Sequence, residues 1–182
     1  MKKFRRGFTL IELLTVLVII MILVGIIVGA SKYAQTKGGN TRAQAEIAAM
    51  ETALESYKND NGAYPQSTAS PGNPAQDSIL LYNALVANPL VAGSKTYMSF
   101  KPTEMRADSL NPTISITIAC PAGSTTRVYT NVVLVDPFGY PYNYSNPCGA
   151  GGANNKVSFD LWSNGPSGAN GAVDSIANWK SN

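Results

Sequence analysis

Histidine is absent from all 182 residues. That removes the commonest general base and a favoured metal ligand. Cysteine occurs twice, at Cys120 and Cys148, with no Cys-x-x-Cys pair, which argues against a thiolate zinc site. Charge is scarce, at 14% of residues, and the only dense basic stretch is the first six residues. Nucleic-acid binding needs a basic patch on the folded surface, so that class is set aside. No Ser- or Cys-centred nucleophile motif occurs, and the chain reads as a non-enzyme. Proline is missing before Pro65, which leaves the first third of the chain free to form one uninterrupted helix.

What the sequence does have is a long apolar run. Residues 7–30 read GFTLIELLTVLVIIMILVGIIVGA, with one carboxylate, Glu12, near the start. Phe8 to Ala30 is about 23 residues, or roughly 34 Å of helix, enough to cross a bilayer. Lys2, Lys3, Arg5 and Arg6 precede it and hold that end on the cytoplasmic side, which puts the remainder of the chain across the membrane. A secretory signal peptide cut at Val28-Gly29-Ala30 is one alternative, but its apolar region would span only about 7 to 15 residues. A plain anchor is another, and it leaves Glu12 unexplained, since a lone acid within hydrocarbon is costly.

Arg6-Gly7-Phe8-Thr9-Leu10-Ile11-Glu12 resembles the processing site of type IV pilins and type II secretion pseudopilins. The resemblance implies cleavage by a prepilin peptidase between Gly7 and Phe8, methylation of the new amine at Phe8, and an assembly role for Glu12. In such a family the amine of one subunit neutralises the buried carboxylate of its neighbour and sets register in a filament. Without its four leader cations the chain carries 10 basic and 11 acidic side chains, a balance of −1 rather than the formal +3.

Further along, Gly25 and Gly29 stand in a GxxxG spacing that permits close helix approach in lipid. Gly38-Gly39 is a soft point where the helix leaves the membrane. Ala43, Ile47, Met50, Leu54 and Tyr57 recur at helical spacing and form one core-facing stripe. The helix is expected over about 8–59, stopped by the segment Asn59-Asp60-Asn61-Gly62-Ala63-Tyr64-Pro65, with Gly62 as a C-terminal cap. Tyr57 to Pro65 also resembles the segment that follows the long helix in major pseudopilins. Residues 66–78 read as loop, 79–87 as a short helix, 96–100 as a short strand, and 113–119, 127–135 and 157–162 as strands. Asp136-Pro137-Phe138-Gly139-Tyr140-Pro141-Tyr142-Asn143-Tyr144 is similar to a turn of major pseudopilins, with tyrosines expected to pack outward from it.

The final match covers residues 160–179, which resemble the calcium loop of major pseudopilins. The implied ligands are Asp174 as the principal one, Ser167, and the backbone carbonyls around Leu161 and Ser163, with Asn164 and Asn170 as extras, and the implied cofactor is Ca2+. Two of the family's aspartates are serines here, Ser167 and Ser175, and fewer charges weaken calcium binding. Cys120 and Cys148 either form a disulfide, which a periplasmic domain permits, or remain two thiols. Many type IV pilins carry one such bridge, whereas major pseudopilins usually do not.

The resemblance implies an α+β, pilin-like fold: one long N-terminal helix packed on a small antiparallel sheet of three or four strands. The expected organisation is a cleaved leader (1–7), a membrane or filament-core helix (8–30), its continuation (31–62) and a periplasmic domain (63–182). It covers both ends well and residues 66–130 poorly. The implied function is the structural subunit of a type II secretion pseudopilus in the bacterial inner membrane, and the alternative is a type IV pilin of a surface pilus. Implied partners are copies of itself, minor pseudopilins, the prepilin peptidase and an inner-membrane assembly platform.

Overall fold

Helix α1 runs from Leu10 to Asn61 in the computed structural model, which describes residues 9–68, 73–90, 93–120, 123–169 and 173–179. The chain divides into two units, Met1–Gly38 and Gly39–Asn182, and α1 contributes to both. In the first unit α1 is an apolar helix with its side chains in the open. In the second it supplies one wall of the core through Ala43, Ile47, Met50, Ala53 and Leu54, all buried. The stripe read from the sequence is therefore the packing face, with Ala53 added to it. Gly62 ends α1 with a φ of +79°, and its N–H donates to Lys58 O at 2.7 Å. Only glycine adopts that cap without strain.

α1 runs through Gly38-Gly39 without interruption, and the boundary between the two units falls between these glycines. Gly39 has a different use. A Cβ there would lie 2.6 Å from Phe138 Cε1, so the ring of Phe138 occupies the space a side chain would fill. A Cβ at Gly38 would meet nothing within 4 Å. The two glycines should therefore respond oppositely to alanine. Gly38→Ala is expected to stabilise by up to about 1 kcal/mol through helix propensity. Gly39→Ala is expected to lose that gain in displacing Phe138 and to fall about 1–2 kcal/mol below Gly38→Ala. Urea melts of the two variants that coincide would refute the pairing.

Helix α2 spans Pro74–Leu85, starting earlier than the sequence suggested. Asn73 and Pro74, read as loop from the sequence, are its start signal. Asn73 caps α2 by accepting from Gln76 N, and Pro74 sits where a helix has no use for an N–H. Residues 96–100, where a strand was expected, are irregular. Tyr97 and Met98 N–H instead share Leu85 O as acceptor. A 3-10 turn, Pro102–Glu104, leads to strand β1, Met105–Ala107.

Strands β2 (Thr113–Cys120) and β3 (Gly123–Thr130) form an antiparallel hairpin. The alternation of β2 buries Ile116 and Ile118 and exposes Thr113, Ser115 and Thr117. The strand expected over 127–135 is two strands. Asn131 interrupts it by donating to Pro112 O and accepting from Asp108 N. β3 stays with β2, while β4 (Val132–Leu134) turns to pair with β1. Strand β5 (Asn143–Ser145) pairs with β6 (Asp160–Ser163), which pairs with β7 (Ile176–Ala177). Among the described residues, three small antiparallel sheets stand where a single sheet was expected.

β6 begins at Asp160 rather than Val157, which is 94% exposed. Buried Asp160 gathers the preceding turn: Asn154 N and Nδ2 donate to Oδ2, and Asn155 N donates to Oδ1. Gly152 approaches so closely that a Cβ would meet that carboxylate.

Two apolar cores result. The larger joins α1, α2 and the β5–β6–β7 sheet through Met50, Leu54, Leu81, Leu85, Tyr144, Phe159 and Leu161. The smaller sets Ile79 and Leu80 of α2 against Ile116, Ile118, Val133 and Val135. Between them α2 also bonds to β3 and β4 like a strand. Ser78 Oγ donates to Leu134 O and accepts from Leu134 N, while Asn83 accepts from Thr130 N and donates to Thr130 O.

Candidate functional site

Gly7 and Phe8 lie outside the described residues, as does the basic leader. Glu12 is described. Thr9 N and Thr9 Oγ1 both donate to Glu12 Oε2 at 2.8 Å, and Glu12 N donates back to Thr9 Oγ1 at 3.4 Å. Thr9-Leu10-Ile11-Glu12 is thus a capping box, a Ser/Thr-x-x-Glu signal visible in the sequence but missed behind the processing motif. The box turns the carboxylate toward the helix's N-terminal end, where the residue before Thr9 is Phe8. Beyond it the apolar side chains have no cover of their own: Leu10 is 84% and Met21 72% exposed. α1 is long and apolar enough in this part to cross a membrane. Thr15 is accommodated there because its hydroxyl donates to Ile11 O at 2.7 Å. A helix of this kind has two stable destinations, lipid or a bundle of like helices.

The Asp136–Tyr144 turn is pinned from within. Asp136 is buried, its Oδ1 accepts from Phe138 N and Tyr140 N, and its Oδ2 accepts from Ser163 Oγ at 2.6 Å. Burial pushes its carboxyl above the usual range, opposed by these donors. Tyr142 and Tyr144 point inward, not outward as expected, at 2% and 0% exposed. Each hydroxyl has an acceptor, Glu46 Oε2 and Pro65 O, so burial leaves no polar group unpaired. Glu46 also takes Arg42 Nε at 2.6 Å, and Arg42 reaches Glu104 at 3.1 Å. This network fastens α1 to the 3-10 turn and to the turn before β5.

Cys120 and Cys148 form a disulfide that ties the end of β2 to the turn after β5. Cys148 has a φ of +54°, and its neighbour Pro147 bridges to Ser67. The pairing read as one of two options from the sequence is thus the one the structure contains.

The four nominated calcium ligands are not gathered around one point of free oxygens. Leu161 O accepts from Asn178 N at 3.0 Å. Ser163, like Leu161, is nominated for its backbone carbonyl; its hydroxyl donates to Asp136 Oδ2 and accepts from Gly165 N. Ser167 N and Oγ donate to Asp174 Oδ2 and Oδ1 at 3.0 and 2.9 Å, so Ser167 and Asp174 are brought together. Asn164 Oδ1 accepts from Asn143, and Asn170 lies outside the described residues. No group of three or more His, Cys, Asp or Glu side chains converges among the described residues. Calcium takes roughly six to eight oxygens, several of them charged. A donor set with one carboxylate, both of whose oxygens are already bonded, does not fit it.

Comparison with known proteins follows the same division of the chain. Residues 2–28 match the prokaryotic N-terminal methylation motif, and residues 107–180 match type II secretion system protein G. The type II secretion system core protein G of Escherichia coli strain K12 is 30% identical over 175 residues, covering 96% of this chain and 91% of the relative. This chain belongs to the protein G family. The core protein G of Vibrio cholerae is similar to it at 30% identity, over 98% of this chain and 96% of the relative. The crystal structure of the major pseudopilin from enterohaemorrhagic E. coli aligns with a TM-score of 0.42 at 23% identity, over 81% of this chain and 87% of that one. The protein G match includes the β2–β3 hairpin and both cysteines, so the disulfide lies within a protein G domain.

Proposed function

We propose that this protein is the structural subunit of a type II secretion pseudopilus. A prepilin peptidase cuts between Gly7 and Phe8, and the mature chain stays in the bacterial inner membrane through α1 with its C-terminal domain in the periplasm. Copies then leave the membrane laterally and join a helical filament that moves folded proteins outward. Minor pseudopilins and an inner-membrane platform are the partners this implies. The work done is packing and charge pairing, not catalysis.

One observation carries the reading: a carboxylate four residues beyond Phe8, held in a capping box at the head of an uncovered apolar helix. In a bundle of such helices the two donors of Thr9 remain, but the charge of Glu12 is left uncompensated, which costs several kcal/mol. The methylated amine at Phe8 of an adjoining subunit supplies the missing cation and fixes the axial stagger. Glu12→Ala is therefore expected to be inserted and cleaved normally while filament yield falls at least about tenfold, the effect of about 1.4 kcal/mol per added subunit. Sheared-filament yield and immunoblots of leader cleavage read the two steps separately. Full filament yield from the variant would sink the proposal.

A further inference from the structure

The calcium loop of the family and the side chains present here disagree, and the disagreement has a positive content. We infer that the loop between β6 and β7 is closed by a hydrogen-bonded clasp, Ser167 to Asp174, which makes the subunit's fold independent of divalent cations. The clasp does what a cation would do: it draws residues 163–169 onto the segment that begins β7. Both oxygens of Asp174 are used, one by the amide and one by the hydroxyl of Ser167. Ser167 Oγ also accepts from Ala169 N at 3.3 Å, so one side chain orders the turn and holds the carboxylate.

The rest of the loop is shaped for contact rather than coordination. Gly165, at φ +71°, passes so close to Asp174 O that a Cβ would be 2.3 Å away. Gly168 lies under the ring of Tyr140. Ser163, the next hydroxyl along, is turned away to Asp136. A cation would have to displace the Ser167 donors from Asp174 and would find no second carboxylate within the described part of the loop.

Asparagine at 174 separates the two mechanisms. Its carbonyl accepts from Ser167 N and its amide donates to Ser167 Oγ, so the clasp survives without charge. A calcium ligand, by contrast, loses most of its affinity with the charge. The test is thermal unfolding of the full-length protein in detergent micelles, with calcium chloride or with chelator. Near-UV circular dichroism follows the T-shaped Trp162–Trp179 pair beside the loop. The wild-type Tm is expected to be the same in both conditions. Asp174→Asn should stay within about 1 °C of wild type, while Asp174→Ala and Ser167→Ala should each fall by roughly 2–5 °C. The Ser167→Ala, Asp174→Ala double variant should fall no further than Asp174→Ala. Calcium that raises the wild-type Tm, with the rise lost in Asp174→Asn, would overturn the inference. So would an Asp174→Ala variant with an unchanged Tm.

Discussion

Replacing Cys120 and Cys148 together with alanine is expected to lower the unfolding free energy by about 3–4 kcal/mol. The bridge closes a loop of 28 residues, and the broken chain regains that loop's freedom when unfolded. Two further losses act in the native state. The end of the hairpin is then held mainly by Ile116 and Ile118, and Cys148 no longer fixes a turn whose backbone sits at positive φ. Guanidinium unfolding of the wild type with and without reductant, beside the double variant, reads the effect. Reductant should bring the wild type to the variant's midpoint and leave the variant unmoved. Coincident midpoints for all the samples would show that the bridge contributes nothing to stability.

The second large effect concerns pH. Asp77 is 4% exposed in the first turn of α2, and its carboxyl accepts from Thr68 Oγ1 at 3.3 Å. Burial pushes its carboxyl up to about 7, with Thr68 opposing. The folded protein therefore holds a proton that the unfolded chain releases near pH 4. Stability from this group is complete below about pH 4, declines as pH rises toward 7, and levels off above it, by an amount on the order of a few kcal/mol. Asp136, also raised by burial, tilts the same way. Asp60 and Asp108 are lowered by their hydrogen-bond partners, so their contribution is lost only in stronger acid. Urea midpoints should thus be higher at pH 5 than at pH 8. Asp77→Asn should raise the midpoint at pH 8 and shrink the difference. A wild-type midpoint that climbs from pH 5 to pH 8 would contradict this account.

Local pattern was legible where one force dominated. The stripe from Ala43 to Leu54 is a helical period and became a buried face. The alternation of Thr113–Ala119 became β2 for the same kind of reason. The processing motif was legible because it is a fixed order of residue types. Misreadings came where a side chain's partner lies far along the chain. The start of α2 is the exception, a local signal passed over in a polar stretch: Asn73 caps the helix by accepting from Gln76 N, with Pro74 at its first position. Residues 127–135 form one β-branched run, yet Asn131 divides it through contacts to 108 and 112. Tyr142 and Tyr144 carry hydroxyls, and only Glu46 and Pro65, each more than seventy positions away, make their burial tolerable. At the C-terminal loop the residue types were identified, but not that Ser167 would occupy both oxygens of Asp174.

The hydroxyl of Ser78 has one more consequence. β4 pairs with β1 along one side, and its other side would present the N–H and C=O of Leu134 to any passing strand. Ser78 binds both, and Tyr142 N also donates to Leu134 O, so that side is already occupied. Exposed strand edges recruit other chains into unplanned sheets. A subunit crowded among its copies faces that hazard continuously. One serine, presented by a helix, helps keep the folded domains from fusing edge to edge.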